Sequence, residues 1–400
     1  MDLEIRYARA DEFAALIDVD AASFGITYDA QALEDARLDI DPERVLVTLD
    51  GPQIVGQSGE ISFDMTLPGG ADARVTGLSW VAVEVTHRRR GIVRTMIERQ
   101  IRAAGERGEA GVILMASEGG IYGRYGFGAA TRMRRSRVQR RRARLAAPPD
   151  TSAVRRLSTD DARAVLPALY ERWRQATPGA VIRDDRRWQL RLLDRDYQRQ
   201  GRSGLFHLVH PDGYVSYRIK QNWNDGDPQN ECVIVDYAPA TDIAHAALWQ
   251  TLLSMDLIGT FESYWIPVGD PLPLLLEDAR GVDTLHVGDG LWVRPVEIAE
   301  LLGRRSYGVE VECVLEVRDT LLGDRRFLLR GGPDGSACER TDRTPDVTLV
   351  VADLGAVCLG GVRLARVART GRVDCDDPAL LRRLDLALLA DREPALGTTF

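Results

Sequence analysis

The sequence contains one lysine, Lys220, so almost all of its 52 basic residues are arginine. The net charge is −8, which argues against a protein that binds nucleic acid non-specifically over its whole surface. The one strongly basic segment, residues 132–144, has no interleaved aromatic side chains on which bases would stack. We therefore expect these arginines to be solvated or paired with acidic residues, and we predict no nucleic-acid partner.

Cysteine and long apolar runs are also scarce. The five cysteines are irregularly spaced and form no Cys-x-x-Cys pair, which predicts reduced thiols and no metal site. No stretch approaches the ~20 apolar residues of a membrane span, and residues 1–6 show no apolar core of a secretion signal. These absences predict a protein of the cytoplasm that does not associate with a membrane.

A strand, a basic turn and a helix follow one another from Leu78 to about Gly105. Leu78–Val85 is apolar and rich in β-branched residues, which is typical of a buried strand. The arginines at 88–90 and Gly91 come next, and then apolar residues recur at helical spacing. Amides at a helix N-terminus, close approach at Gly91 and the arginine charges together favour a pyrophosphate. The spacing Arg88-x-x-Gly91-x-Val93 resembles the coenzyme A signature of the GNAT superfamily of N-acetyltransferases, with Val93 in place of the usual small residue.

A second apolar strand, Gly111–Ala116, leads into a turn that carries Tyr122 and Tyr125. A phenol is protonated near neutral pH and can donate its proton to a departing thiolate. Spacing by itself does not distinguish the two tyrosines.

Residues 81–96 and 116–131 resemble the Eis (enhanced intracellular survival) family of actinobacterial acetyltransferases. Shorter matches continue along the chain at Tyr170–Gln175, His210–Tyr214, Asp270–Pro273, Asp289–Trp292 and Leu381–Asp385. The resemblance implies a mixed α/β fold, with tandem GNAT-like domains followed by a sterol-carrier-protein-like C-terminal domain. It also implies acetyl-CoA as cosubstrate and a homohexamer.

The resemblance also assigns roles to individual residues. It implies coenzyme contacts at Val81, Val83, Arg88, Arg89, Gly91, Val93, Arg94 and Ser117. It implies that Tyr122 protonates the coenzyme thiolate and that Phe24, Ser79 and Trp80 line the substrate pocket. Its general base is the carboxylate of the last residue, Phe400; an α-carboxylate is ionised at neutral pH and can accept a proton from an ammonium group. Without the resemblance, Phe400 would be read as a frayed terminus.

Two positions depart from the family in the acidic part of the substrate pocket. Ile26 and Thr399 stand where the resemblance implies acidic residues. Asp29, Glu34 and Asp35 are candidates to compensate, but the sequence does not place them in the pocket. This departure bears on the range of aminoglycosides accepted, rather than on membership of the family.

The length of the chain suggests two or three domains, and the resemblance implies three. It implies a GNAT domain that binds acetyl-CoA at residues 1–145, and a proline-containing linker at 146–150 follows it. It implies a second GNAT-like domain at 151–294, which we expect to be degenerate and unable to bind coenzyme A, because no Arg-x-x-Gly loop lies between its strand at Tyr237 and its helix at His245. Trp188 is a candidate for a cleft wall there, although a core tryptophan is the commoner case. The third, at 296–400, is the sterol-carrier-like domain that delivers Phe400.

Three functions follow from these patterns. The first is acetylation of primary amines on small polycationic molecules such as aminoglycosides, by direct transfer in a ternary complex, which would confer antibiotic resistance. The second is acetylation of lysines on a protein. The third is a non-catalytic binder of apolar ligands, suggested by the C-terminal domain. We favour the first.

Overall fold

The computed structural model describes residues 3–400, except for the side chain of Trp265; Met1 and Asp2, with which the predicted first domain begins, lie outside the described residues. The strands are β1 Glu4–Tyr7, β2 Val45–Asp50, β3 Gln53–Thr66, β4 Asp72–Val83, β5 Gly111–Met115, β6 Gly128–Ala129, β7 Arg132–Gln139, β8 Arg155–Leu157, β9 Phe206–His210, β10 Gly213–Lys220, β11 Trp223–Asn224, β12 Asp227–Pro228, β13 Asn230–Pro239, β14 Ile258–Pro267, β15 Val282–Asp289, β16 Leu291–Pro295, β17 Val311–Arg318, β18 Arg325–Gly332, β19 Gly335–Arg340, β20 Val347–Val350 and β21 Val373–Asp374. The helices are α1 Phe13–Phe24, α2 Ala30–Asp39, α3 Ile92–Glu106, α4 Thr159–Gln175, α5 Asp185–Leu192, α6 Asp196–Arg199, α7 Asp242–Leu253, α8 Leu272–Leu275, α9 Ile298–Gly303, α10 Val351–Val357, α11 Leu364–Ala368 and α12 Pro378–Leu388.

The chain forms two compact units. The first comprises the residues up to Thr131, then Gly290–Asp391 and Thr399–Phe400; the second comprises Arg132–Asp289 and Arg392–Thr398. The three-domain division at 1–145, 151–294 and 296–400 stays a prediction. Among the helices of residues 3–400, none is long and apolar enough to cross a membrane.

A seven-stranded mixed sheet, in the order β1-β2-β3-β4-β5-β16-β6, forms the core of the first unit within the described residues. β4 and β5 run parallel, whereas β16 arrives from far along the chain and pairs antiparallel with β5. α3 packs one apolar face on this sheet through residues such as Ile97 and Ile101, which are fully buried. The predicted mixed α/β fold is confirmed.

The C-terminal part of the first unit, from α9 to α12, is a five-stranded sheet, β19-β18-β17-β20-β21, with its helices, and we call it the strand-rich domain. Residues Val309–Val317 alternate between apolar and polar, which predicts a strand. The structure confirms it as β17, in which every second residue enters one apolar core. In the same unit, α10 packs against β16 and β6 of the seven-stranded sheet. The strand-rich domain is therefore built directly onto the sheet that carries the coenzyme motif.

The arginine-rich segment forms β7, inside the second unit's own seven-stranded sheet. The Nε atom of Arg137 donates to the buried carboxylate of Glu262 at 2.9 Å, and Arg135 reaches the same carboxylate at 3.2 Å. Arg142 pairs with Asp278 at 2.8 Å. These contacts confirm that arginines of this segment pair with acidic residues.

The sequence pattern over Arg186–Arg199 predicts a helix. As one continuous element this prediction is wrong, because the helix is broken between α5 and α6. Asp194 has a φ of 52°, in the left-handed region. Its carboxylate accepts hydrogen bonds from the backbone N–H of Leu205 at 3.0 Å and from the Nε atom of Arg199 at 3.2 Å. These bonds hold a conformation that a helix cannot contain.

A buried arginine in the second unit holds the tail segment Arg392–Thr398. Arg183 donates both terminal nitrogens to Asp236, at 2.7 and 2.9 Å, and also donates to the carbonyl oxygen of Gly397. Burial alone would raise the pKa of Asp236, but the Arg183 guanidinium lowers it to about 2. Trp188 belongs to this cluster and is 8% exposed, so it is a core residue of this unit.

Candidate active site

β4 and β5 separate in the middle of the first sheet. Their parallel pairing ends at Leu78 and Leu114, although β4 continues to Val83. Against β3, the residues Trp80 and Val81 together oppose the single residue Ser58, which makes a β-bulge. Trp80 has a φ of 54°, a rare conformation for a bulky residue, and such strain clusters at functional sites. The bulge turns β4 away from β5 and opens the sheet.

The backbone of Val83 faces this opening. The N–H of Glu84 donates to Val55 of β3 at 3.0 Å, so by strand alternation the N–H and carbonyl of Val83 point away from β3. The Val83 carbonyl accepts a hydrogen bond from the Nε atom of Arg88 at 3.4 Å. The backbone N–H of Val83 therefore points toward the side of β4 on which β5 has separated from it.

The basic loop ends at a helix N-terminus without a side-chain cap. Arg89 and Gly91 have φ angles of 64° and 83°, and Gly91 is the N-cap of the 15-residue helix α3. Gly91 has no side chain with which to cap this end of α3, and the first-turn N–H groups of any helix lack intrahelical acceptors. The loop therefore offers backbone amides, a positive helix end and three arginines to an anionic group.

A cavity of about 930 Å³ occupies this region, within the usual size range for a small-molecule site. Ten predicted site residues line it: Phe24, Val81, Val83, Arg88, Arg89, Gly91, Val93, Arg94, Ser117 and Tyr122. The structure thus brings the strand, loop, helix and tyrosine turn together around one space. Arg102 and Arg124 also line the cavity and add to the predicted arginines, and Glu98 and Glu118 line it too.

Tyr122 lies in a short 3-10 helix, Tyr122–Tyr125, after β5. It is 5% exposed, and its ring packs edge-on against Phe127 with centroids 6.0 Å apart. Burial, followed by the neighbouring Tyr125 and Glu118, raises its pKa. Burial also raises the pKa of Tyr125, which lines the same cavity. Both phenols therefore stay protonated through neutral pH.

An aromatic and acidic group lies beside the bulge. The rings of Trp80 and Tyr28 stack at 6.3 Å, and the indole N–H of Trp80 donates to Asp39 at 3.3 Å. The Tyr28 hydroxyl donates to the buried Asp20 at 2.7 Å. Aromatic faces and carboxylates favour cationic amines. Ser79 and Trp80 stand next to Val81 on β4 but are not among the described residues that line the cavity.

Phe400 returns to the first sheet. Its ring centroid lies 4.8 Å from that of Phe63 on β3, and a Cβ added at Gly77 of β4 would lie 2.9 Å from its ring. The adjacent Leu78 packs in the cluster that contains α3 residues, so Phe400 lies on the opposite face of the sheet. Within residues 3–400, Phe400 is not among those that line the cavity.

Several lining residues were not predicted. Glu98 and Arg102 follow Arg94 at four-residue spacing on α3, a signal that the sequence contained. Ser23 adjoins the predicted Phe24, and its Oγ atom has no hydrogen-bond partner in the described part of the chain. Four residues of the strand-rich domain also line the cavity, at positions 319–321 and 351, and no local pattern pointed to them.

Three family models match this chain. Models of an acetyltransferase (GNAT) domain match residues 4–130 and 179–295. A sterol carrier protein domain model matches residues 298–397. Within the described residues, no group of three or more histidine, cysteine or acidic side chains is arranged to hold a metal ion.

Relatives and solved structures match along nearly the whole chain. The chain is 34% identical over 393 residues to the N-acetyltransferase Eis of Mycobacterium tuberculosis, covering 95% of each. It is 34% identical over 385 residues to an uncharacterized N-acetyltransferase of Streptomyces avermitilis, covering 93% of each. The crystal structure of Eis1 from Mycobacterium abscessus matches with a TM-score of 0.88 at 31% identity, covering 100% of both chains. A GCN5-related N-acetyltransferase from Anabaena variabilis, with a TM-score of 0.86 at 18% identity, shares the fold.

Proposed function

Since this chain belongs to the Eis family of GNAT N-acetyltransferases, we propose that it transfers acetyl from acetyl-CoA to primary amines of small polycationic molecules such as aminoglycosides. The observation that carries the proposal is one cavity that is lined by the end of β4 beyond its pairing with β5, by the basic loop at the N-terminus of α3, and by the turn that follows β5 and carries Tyr122. The loop suits the pyrophosphate of the coenzyme, and the opening in the sheet suits its extended arm.

The proposed reaction is direct transfer in a ternary complex. The carboxylate of Phe400 accepts a proton from the substrate ammonium, directly or through water, and the free amine attacks the thioester carbonyl carbon. The N–H of Val83 donates to the carbonyl oxygen, where negative charge develops in the transition state. Tyr122 donates its proton to the departing sulfur. The new amide bond forms as the carbon–sulfur bond breaks, and coenzyme A leaves as the thiol. The nitrogen releases its second proton to water, and the Tyr122 phenolate regains a proton from water.

The acceptor class is supported by the chemistry beside the bulge. Trp80, Tyr28 and the partly exposed carboxylate of Asp39 form an aromatic and acidic group that suits an ammonium-rich molecule, with Tyr28 held by the buried Asp20. With Ile26 and Thr399 in place of acidic residues, we expect a narrower set of aminoglycosides than the family resemblance implies. The cytoplasmic location and the hexamer also stay predictions.

The direct test is release of free thiol from acetyl-CoA by protein with an untagged C-terminus. The acceptor panel holds aminoglycosides, polyamines and a lysine-containing peptide. We expect release with polycationic small molecules and little with the peptide. Release with the peptide alone would favour the protein-acetylation alternative. Absence of release across the panel, with coenzyme binding intact, would contradict the proposal.

Replacing Gly91 in the basic loop tests whether this loop binds the coenzyme. Gly91→Ala has open space for its Cβ but must keep a φ of 83°, a strain of about 1 kcal/mol. We expect acetyl-CoA to bind about fivefold more weakly, measured by isothermal titration calorimetry.

Gly108→Ala is the control. Gly108 has a φ of 69° and equal space, but it follows the other end of α3 and is not among the cavity-lining residues described. We expect it to lose comparable thermal stability with coenzyme affinity unchanged. Equal losses of affinity in the two variants would contradict the role of the loop.

A further inference from the structure

The strand-rich domain contributes directly to the cavity wall. The loop after β17 places Asp319, Thr320 and Leu321 on the lining, and Val351 at the start of α10 joins them. Leu321 also packs, with Leu322, against the apolar cluster that contains Tyr122. A domain that resembles a sterol carrier is therefore in contact with the tyrosine turn.

A buried ion pair fixes this loop to the sheet. The Nη2 atom of Arg294, on β16, donates to both carboxylate oxygens of Asp319 at 2.9 and 2.8 Å. The two side chains are 0% and 2% exposed. The backbone N–H groups of Leu321 and Leu322 donate to the same carboxylate at 3.0 and 3.2 Å. Removing one partner of such a pair leaves the other charge buried without compensation.

The same guanidinium holds the turn that carries Tyr122. The Nε atom of Arg294 donates to the carbonyl oxygen of Tyr125 at 2.9 Å, the last residue of the turn. At the next residue, Gly126, a Cβ would lie 2.7 Å from both Arg294 Nε and Val351 Cγ1. The turn is thus bonded to Arg294 and fits closely against it, and Asp319 orients the guanidinium that makes the bond.

We propose that Asp319 and Arg294 are positioning residues that hold the Tyr122 phenol where it meets the departing sulfur, so that the strand-rich domain is part of the acetyltransferase machinery. This inference rests on the proposed role of Tyr122. Neither Asp319 nor Arg294 transfers a proton in the proposed reaction. The observation that carries it is the continuous chain of buried bonds from Asp319 through Arg294 to the Tyr125 carbonyl.

The test replaces Asp319 with asparagine, which keeps the shape and removes the charge. We expect kcat to fall about 10- to 100-fold, because small displacements of a catalytic group are costly, while the Kd for acetyl-CoA changes less than about threefold. Arg294→Lys, which keeps the charge but cannot make the same set of bonds, is expected to behave likewise. The control is Asp374→Asn in the same domain, whose carboxylate is 70% exposed and 3.7 Å from Arg318; it should match the wild type.

A double variant shows whether Asp319 acts through Tyr122. We expect Asp319→Asn to slow the Tyr122→Phe enzyme by much less than it slows the wild type. The same factor in both backgrounds would overturn the inference and leave the proposed function intact. A fully active Tyr122→Phe enzyme would instead show that Tyr122 is not the acid that protonates the departing sulfur.

Amide hydrogen exchange gives a readout that does not depend on turnover. In Asp319→Asn we expect faster exchange in residues 122–126 and unchanged exchange in the loop at 88–94. Unchanged exchange at 122–126 would overturn the inference even if no acceptor amine is found. A thermal unfolding curve for each variant establishes that the protein measured is folded.

Discussion

Displacing the Phe400 carboxylate is expected to abolish acetyl transfer while acetyl-CoA binding survives. The group is proposed as the base for the substrate ammonium, and loss of a general base typically costs about 10²- to 10⁴-fold in rate. Adding one glycine after Phe400 moves the carboxylate and keeps the ring on Phe63, with centroids 4.8 Å apart in the native protein. The measurement is thiol release with a responsive polycationic amine, together with the Kd for acetyl-CoA.

The matched variant is Phe400→Leu, which keeps the terminal carboxylate and alters the ring that contacts Phe63. We expect it to retain much more activity than the glycine extension. If the extended protein turns over at the wild-type rate, the carboxylate is not the base. If Phe400→Leu and the extension fail equally, the ring contact is as important as the charge.

The second large effect is expected for Tyr122→Phe, with kcat lower by about 10²- to 10⁴-fold. The substitution removes the hydroxyl and leaves the ring in its apolar cluster with Phe127. Burial raises the pKa of Tyr122, and the acid is active while protonated. Activity should therefore persist through the neutral range and decline only above the ordinary range of a tyrosine, and this alkaline decline should be absent in the variant.

Tyr125→Phe is the control for Tyr122→Phe, because both phenols lie in one turn, line one cavity and have raised pKa values. We expect a change of less than about fivefold in kcat for Tyr125→Phe, since no proton transfer is assigned to it. A larger loss for Tyr125→Phe than for Tyr122→Phe would reverse the assignment. The comparison decides between two residues that spacing alone did not separate.

The elements of the proposed coenzyme site were predictable because they are local in sequence. Its β4 strand, its basic loop and α3 are consecutive, and each has a pattern that depends on near neighbours. The predicted helix start at Gly91 agrees with its place as the N-cap of α3. Phe24 and Tyr122, by contrast, were assigned through the family resemblance, and the structure places both on the cavity with the loop residues.

Other features required the folded chain. The bulge at Trp80 was not predicted, because a strand pattern does not reveal which residue will be left unpaired. The helix breaks at Asp194 despite a helical sequence pattern, because the Asp194 carboxylate accepts hydrogen bonds from Leu205 and Arg199. Asp319 has no motif around it that indicates a role, since its partner Arg294 lies on a strand of another sheet.

The sequence by itself determined the family, through its resemblance to known members, and the strand, loop and helix of the predicted coenzyme site, through periodicity and short spacings. Tertiary structure alone decided that the strand-rich domain reaches the cavity through Asp319 and Leu321 and that Phe400 packs on Phe63. These contacts join residues hundreds of positions apart or on separate sheets. Their energy comes from burial and from hydrogen bonds that exist only once the whole unit has closed around them.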